Sequence, residues 1–215
     1  RWGRFRGSPT VSRAIGWGVM TLLAALVAAY ALANALMPTV RGSFVVDLFD
    51  EKTARAFGHM AFGGVALLVG ALQFSTKIRF ERPSLHRTLG KVYAVTVAVS
   101  GVSALLLAPV STGGLTAHFG FGLLASFWLI TTALAVRDAR SGAYEAHRRW
   151  MIRSYALCLA AVTLRLQLGV AGVAGIPFPE SYPAIAWLCW VPNLVLAEWL
   201  VIGSRVAPLE LPANG

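Results

Sequence analysis

Six stretches of this chain, residues 14–37, 56–74, 92–110, 115–136, 150–171 and 184–202, are apolar and almost free of charge. A helix needs about 20 such residues to cross the hydrocarbon of a bilayer. Inside hydrocarbon the backbone must satisfy its own hydrogen bonds, so each stretch that crosses does so as a helix. The expected fold is therefore all-α: a single membrane domain over residues 1–215 with six transmembrane helices. Composition agrees, since 57% of residues are hydrophobic and 13% charged, with a mean hydropathy of +0.66. A soluble domain of this length has nowhere to bury that much apolar surface, and the first partner is the lipid bilayer.

The 19 Lys and Arg outnumber the 9 Asp and Glu, giving a net charge of +10. Such an excess invites a nucleic-acid reading, but the cations flank the apolar runs and form no stripe on a soluble surface, so no nucleic-acid partner is expected. Six crossings put both termini on one side. That side collects Arg1, Arg4, Arg6 and Arg13, then Lys77, Arg79, Arg82, Arg87 and Lys91, then Arg137, Arg140, Arg148, Arg149 and Arg153, and finally Arg205. The opposite side has Arg41, Lys52 and Arg55, while Arg165 sits within a run. The positive-inside rule makes the first side cytoplasmic, with both termini there. A basic leader and the sequence ALANA resemble a signal peptide, yet the first run is too long for a signal core and reads as a retained helix.

Between the runs, residues 39–55 mix apolar and charged side chains in a way that suits a short helix along the membrane surface or a solvated loop. Cys158 and Cys189 fall in different runs and read as small core residues, with no thiolate metal motif. Arg165 lies toward the outer end of the fifth run and needs a cavity, a partner or the headgroup layer. Glu198, the one acid in a run, lies toward the other end and is expected to stay apart from it.

All four histidines lie between residues 56 and 167, each near the start of an apolar run: AFGHMAFGG, PSLHRTLGK, LTAHFGFGL and EAHRRWMIR. Because crossings alternate, His59 and His118 fall toward the outer face and His86 and His147 toward the inner one. Three have glycine four residues on, on the same helical face: Gly63, Gly90 and Gly122. A flat macrocycle ligated by an imidazole lies against its helix, and glycine clears that ground; helix packing is the other use for such glycines. His147 breaks the pattern with Met151. His59 and His86 are 27 residues apart, His118 and His147 are 29 apart, and a tyrosine follows each inner histidine two turns on, Tyr93 or Tyr155. Read as a repeated hairpin, the second to fifth helices form a central four-helix bundle whose axis pairs His59 with His118 and His86 with His147. The two levels would be separated by roughly 25 Å at 1.5 Å per residue, enough for two sites. The four histidines are thus candidate metal ligands, and two axial imidazoles at a haem iron favour electron transfer over chemistry at the metal. No residues stand out as catalytic.

The segments GHMAFGGVALLVGALQF, HRTLGKVYAV and AHRRWMIRSYAL, with the AVTLRLQL that follows, resemble an uncharacterised bacterial family of multi-pass membrane proteins known by a domain-of-unknown-function label, DUF2306. That likeness implies a bacterial inner membrane protein and no established activity. The histidine layout is also similar to the cytochrome b561 type of dihaem carrier. This implies haem b, one or two per chain, with His59 and His118 as outer ligands, His86 and His147 as inner ligands, and a haem propionate as a fitting partner for Arg165. Because the inner histidines sit among arginines, the outer pair is the stronger expectation. Two functions follow: a transmembrane electron carrier, an oxidoreductase of cytochrome b type with a quinol or a redox protein as partner, or a non-catalytic subunit of a larger membrane complex. Transport ranks below both for want of paired intramembrane acids, and no hydrolase motif is present.

Overall fold

The computed structural model describes residues 11–203, with side chains from Ile15 to Val201. Arg1, Arg4, Arg6 and Arg205, counted above toward the basic side, lie outside the described residues. Among these residues there are nine α-helices, with short 3-10 turns and no strand: α1 (Val11–Leu36), α2 (Ser43–Gln73), α3 (Thr76–Glu81), α4 (Pro83–Leu107), α5 (Gly114–Arg140), α6 (Tyr144–Cys158), α7 (Ala160–Val173), α8 (Phe178–Leu188) and α9 (Val191–Gly203). They make six spans long and apolar enough to cross a membrane, with α6–α7 forming the fifth and α8–α9 the sixth.

The ends of these helices follow local chemistry. Met37 and the Pro38 turn end α1, and Arg41 reaches back to donate to the carbonyls of Asn34 (2.8 Å) and Ala35 (3.2 Å), which α1 leaves without intrahelical donors. The Arg41 guanidinium also lies 3.6 Å from the centre of the Phe49 ring. Residues 43–51 are helical and run into the second span through a break at Lys52 (φ −141°, ψ 42°). Val45 and Phe49 on that segment are buried beside Ala35 and Ala56, which ties it to the bundle. Ser75 caps α3, its hydroxyl accepting from Ile78 N, and Pro83 opens α4 where its missing N–H costs nothing. Gly113, at φ 102°, supplies the left-handed residue from which α5 starts.

Two spans are jointed. The fifth breaks at Leu159 and the sixth at Cys189–Trp190. Asn193 of α9 spans the first joint, donating to the Ala156 carbonyl (3.3 Å) and to Thr163 Oγ1 (2.9 Å).

Packing closes a ring of α2, α4, α5 and α6, with α1 outside α2, α8 against α5 and α7, and α9 against α6. At its centre Tyr93 and Tyr155 are 1% and 2% exposed. Tyr155 donates to the Leu67 carbonyl (3.0 Å), and Tyr93 shares a hydrogen bond with Ser154 (2.8 Å), which in turn meets Thr132 (2.7 Å). Gly70 makes room for both rings: a Cβ there would stand 2.4 Å from Tyr155 Cε2 and 2.9 Å from Tyr93 Cε2. One buried polar cluster thus joins α4, α5 and α6, where the low dielectric strengthens its bonds.

Candidate functional site

The chain has a basic end, where α3, α4 and α6 begin, and a far end, where α1 leads into α2. Toward the far end, His59 on α2 donates from Nδ1 to the Ser100 carbonyl of α4 at 3.4 Å, and Ser100 Oγ donates to the His59 carbonyl at 2.9 Å. The bare patch at Gly63 is the seat of Ser100, whose Oγ would lie 2.9 Å from a Cβ there. His118 on α5 donates from Nε2 to the Ser111 carbonyl at 2.9 Å, closing the turn that leads into its own helix. A Cβ at Gly122 would meet only Ala108 Cβ, at 3.8 Å. The two far-end histidines therefore serve different carbonyls. The charged group acting on His59 is Arg165 of α7. Arg165 donates from Nη1 to the Ala161 carbonyl at 2.8 Å and has its Cζ 5.0 Å from the centre of the Tyr30 ring.

At the basic end, His86 and His147 each occupy the fourth position of their helices, and each backbone N–H bonds the carbonyl four residues back, Arg82 or Ala143. The two side chains are within electrostatic reach of each other. His147 donates from Nδ1 to the Ala135 carbonyl of α5 at 2.8 Å, which leaves Nε2 as the free nitrogen. His86 Nδ1 is buried with no partner among the described residues, and the same is true of Arg79 Nε and Gln73 Nε2. Gln73 closes α2 and is 8% exposed; its Oε1 would be 3.7 Å from a Cβ at Gly90, one turn beyond His86. Arg79 also acts on His86. Burial, and then the neighbouring Arg148, hold the Arg79 guanidinium below its ordinary pKa. Two imidazoles and two unmatched N–H donors, Arg79 Nε and Gln73 Nε2, thus gather where the two basic connections meet, a set suited to an anionic or metal-bearing guest.

Two hollows lie elsewhere: a groove between α4 and α5 that includes Ala94, Leu129 and Arg140, and a depression under the α1–α2 connection that includes Arg41, Phe49 and Asp50. No histidine lines either. Among the described residues no group of three or more His, Cys, Asp or Glu is arranged to hold a metal ion.

A family model described as "Predicted membrane protein (DUF2306)" matches residues 56–201, well over half of the chain. The chain belongs to the DUF2306 family. Neither a curated protein nor a solved structure matches it. The DUF2306 match takes in all four histidines, Arg165 and the whole ring of α2, α4, α5 and α6, apart from the start of α2, while α1 precedes it. With six apolar helices, this DUF2306 protein is an integral, multi-pass membrane protein.

Gln73 escapes a reading of the sequence because a glutamine at the end of an apolar run carries no motif. Ser100 escapes for the same reason. The pairing of Glu198 is also invisible: Arg153 donates to both of its carboxylate oxygens, at 2.7 Å from Nη2 to Oε2 and from Nε to Oε1. That contact keeps Glu198 away from Arg165, as their depths imply.

Proposed function

We propose that this DUF2306 protein is a transmembrane electron carrier of the bacterial inner membrane, with both termini cytoplasmic and one b-type haem held between His86 and His147 at the basic end. The observation that carries the reading is the matched placement of these two histidines, fourth in their helices and within electrostatic reach of one another, with His147 Nδ1 spent on the Ala135 carbonyl so that Nε2 is left to bind. The unmatched donors of Gln73 and Arg79 suit carboxylate oxygens, as the propionates of a haem would offer. A haem bound there would supply one-electron transfer. His147 and His86 would hold it, and the Tyr93–Ser154–Thr132 cluster packs the bundle core. Electrons would come from a quinol or a soluble redox protein. At the far end, His118 spends its Nε2 on Ser111, which argues against a matching second haem.

The test is a dithionite-reduced minus oxidised spectrum, with pyridine haemochrome quantification, of protein expressed under haem-replete conditions. One b haem per chain is expected, lost in His86→Ala and His147→Ala and retained in His118→Ala. Colourless protein overturns the proposal, and so does haem lost in His118→Ala but kept in His147→Ala.

A further inference from the structure

Arg165 is a cation inside a membrane span that no acid among the described residues answers. It lies eight residues before the end of α7 at Val173, about 12 Å below that end at 1.5 Å per residue. A long basic side chain in such a place ordinarily reaches for the nearer headgroups. This one turns the other way: its Nη1 bonds the Ala161 carbonyl, four residues back along the helix and deeper in the span. Arg165 Nε is buried with no partner among the described residues. Among the described residues no ion pair involves Arg165, and Glu198 is engaged by Arg153. Its neighbours among the described residues are the ring of Tyr30, His59 and the hydroxyl-bearing Tyr182, a set of dipoles without a carboxylate. Tyr182 in turn stacks on Phe178 at 4.5 Å and meets Phe121 at 5.4 Å, so apolar rings flank the site.

We propose that Arg165, with His59 beside it, receives the carboxylate of an acyl-chain amphiphile that enters from the bilayer. A neutral acceptor would satisfy the free N–H but leave the charge uncompensated. A guanidinium offers two parallel N–H groups in the spacing of a carboxylate. Position selects the ligand: Arg165 lies inside an apolar span with the rings of Tyr182, Phe178 and Phe121 close by, so a guest there needs an apolar chain as well as a negative charge. This site is independent of the haem reading, since His86 and His147 take no part in it.

The experiment uses the full chain in nanodiscs of neutral phosphatidylcholine, titrated with radiolabelled oleate. Saturable binding of one oleate per chain is expected, weakened at least tenfold by Arg165→Gln and unchanged by His118→Ala. Tenfold excess oleyl alcohol should not displace oleate, and that comparison decides the matter in the unaltered chain if Arg165→Gln fails to assemble. Non-saturable partitioning, equal affinity in Arg165→Gln, or displacement by oleyl alcohol would overturn the proposal. Equal competition by phosphatidic acid would overturn the choice of a carboxylate.

Discussion

Replacing Gly70 by alanine tests the packing at the centre of the ring. The added methyl would sit 2.4 Å from Tyr155 Cε2, 2.5 Å from its Cδ2 and 2.9 Å from Tyr93 Cε2. Neither ring is free to swing aside, since Tyr155 is tied to the Leu67 carbonyl and Tyr93 to Ser154. Overpacking a tight core costs about 1–3 kcal/mol, and two pinned rings place this site near the upper value. Alanine recovers up to about 1 kcal/mol over glycine as a helix former, leaving a net loss of roughly 2 kcal/mol. At about 2–4 °C per kcal/mol for a chain of this size, the melting temperature should fall by roughly 4–8 °C. Cys158 and Cys189 are both free and buried, so a thiol-reactive dye reports unfolding in detergent directly. Gly169→Ala is the control, because a Cβ there meets nothing within 4 Å. Gly70→Ala melting at or above Gly169→Ala would refute the packing argument.

Ser154→Ala removes the hydroxyl shared by Tyr93 and Thr132 and should cost about 1–2 kcal/mol in the same assay, with Tyr93→Phe adding little on top. Glu198→Gln leaves Arg153 half-answered. Because the Glu198 side chain is 40% exposed and that of Arg153 16%, the loss should be about 1–2 kcal/mol, below that of a fully buried pair. Arg165→Met should raise the melting temperature of delipidated protein, since a central arginine costs about 2.5–3.5 kcal/mol on insertion scales; a lowered melting temperature would mean that the Tyr30 and Ala161 contacts already compensate the charge. Asn193→Ala should destabilise by about 1 kcal/mol through the freed Ala156 carbonyl, read by the same melt.

The six crossings are legible because hydrocarbon imposes one demand, and runs of apolar residues meet it visibly. Their ends are less so. α4 and α6 begin at Pro83 and Tyr144, well before the apolar runs at 92 and 150, because charged residues continue a helix into the headgroup layer where hydropathy has no signal. The Leu159 joint is hidden inside uniformly apolar sequence. For the site, the identity of the four histidines could be read, and the direction of each ring could not. Gly63 shows why: a glycine one turn from a histidine looks the same whether a cofactor or a serine from the next helix fills the space, and here Ser100 fills it. Asn34 likewise turns to its own helix, donating to the Tyr30 carbonyl at 2.8 Å.

The breaks at Leu159 and Cys189–Trp190 divide both C-terminal crossings into two storeys, one holding Arg165 and the other Arg153 with Glu198. An unbroken rod transmits a push from one leaflet to the other, whereas a hinged one absorbs it at the elbow. At Leu159 that elbow is stapled: Asn193 of α9 donates to the Ala156 carbonyl on one side of it and to Thr163 Oγ1 on the other, which holds the two storeys of the fifth crossing together.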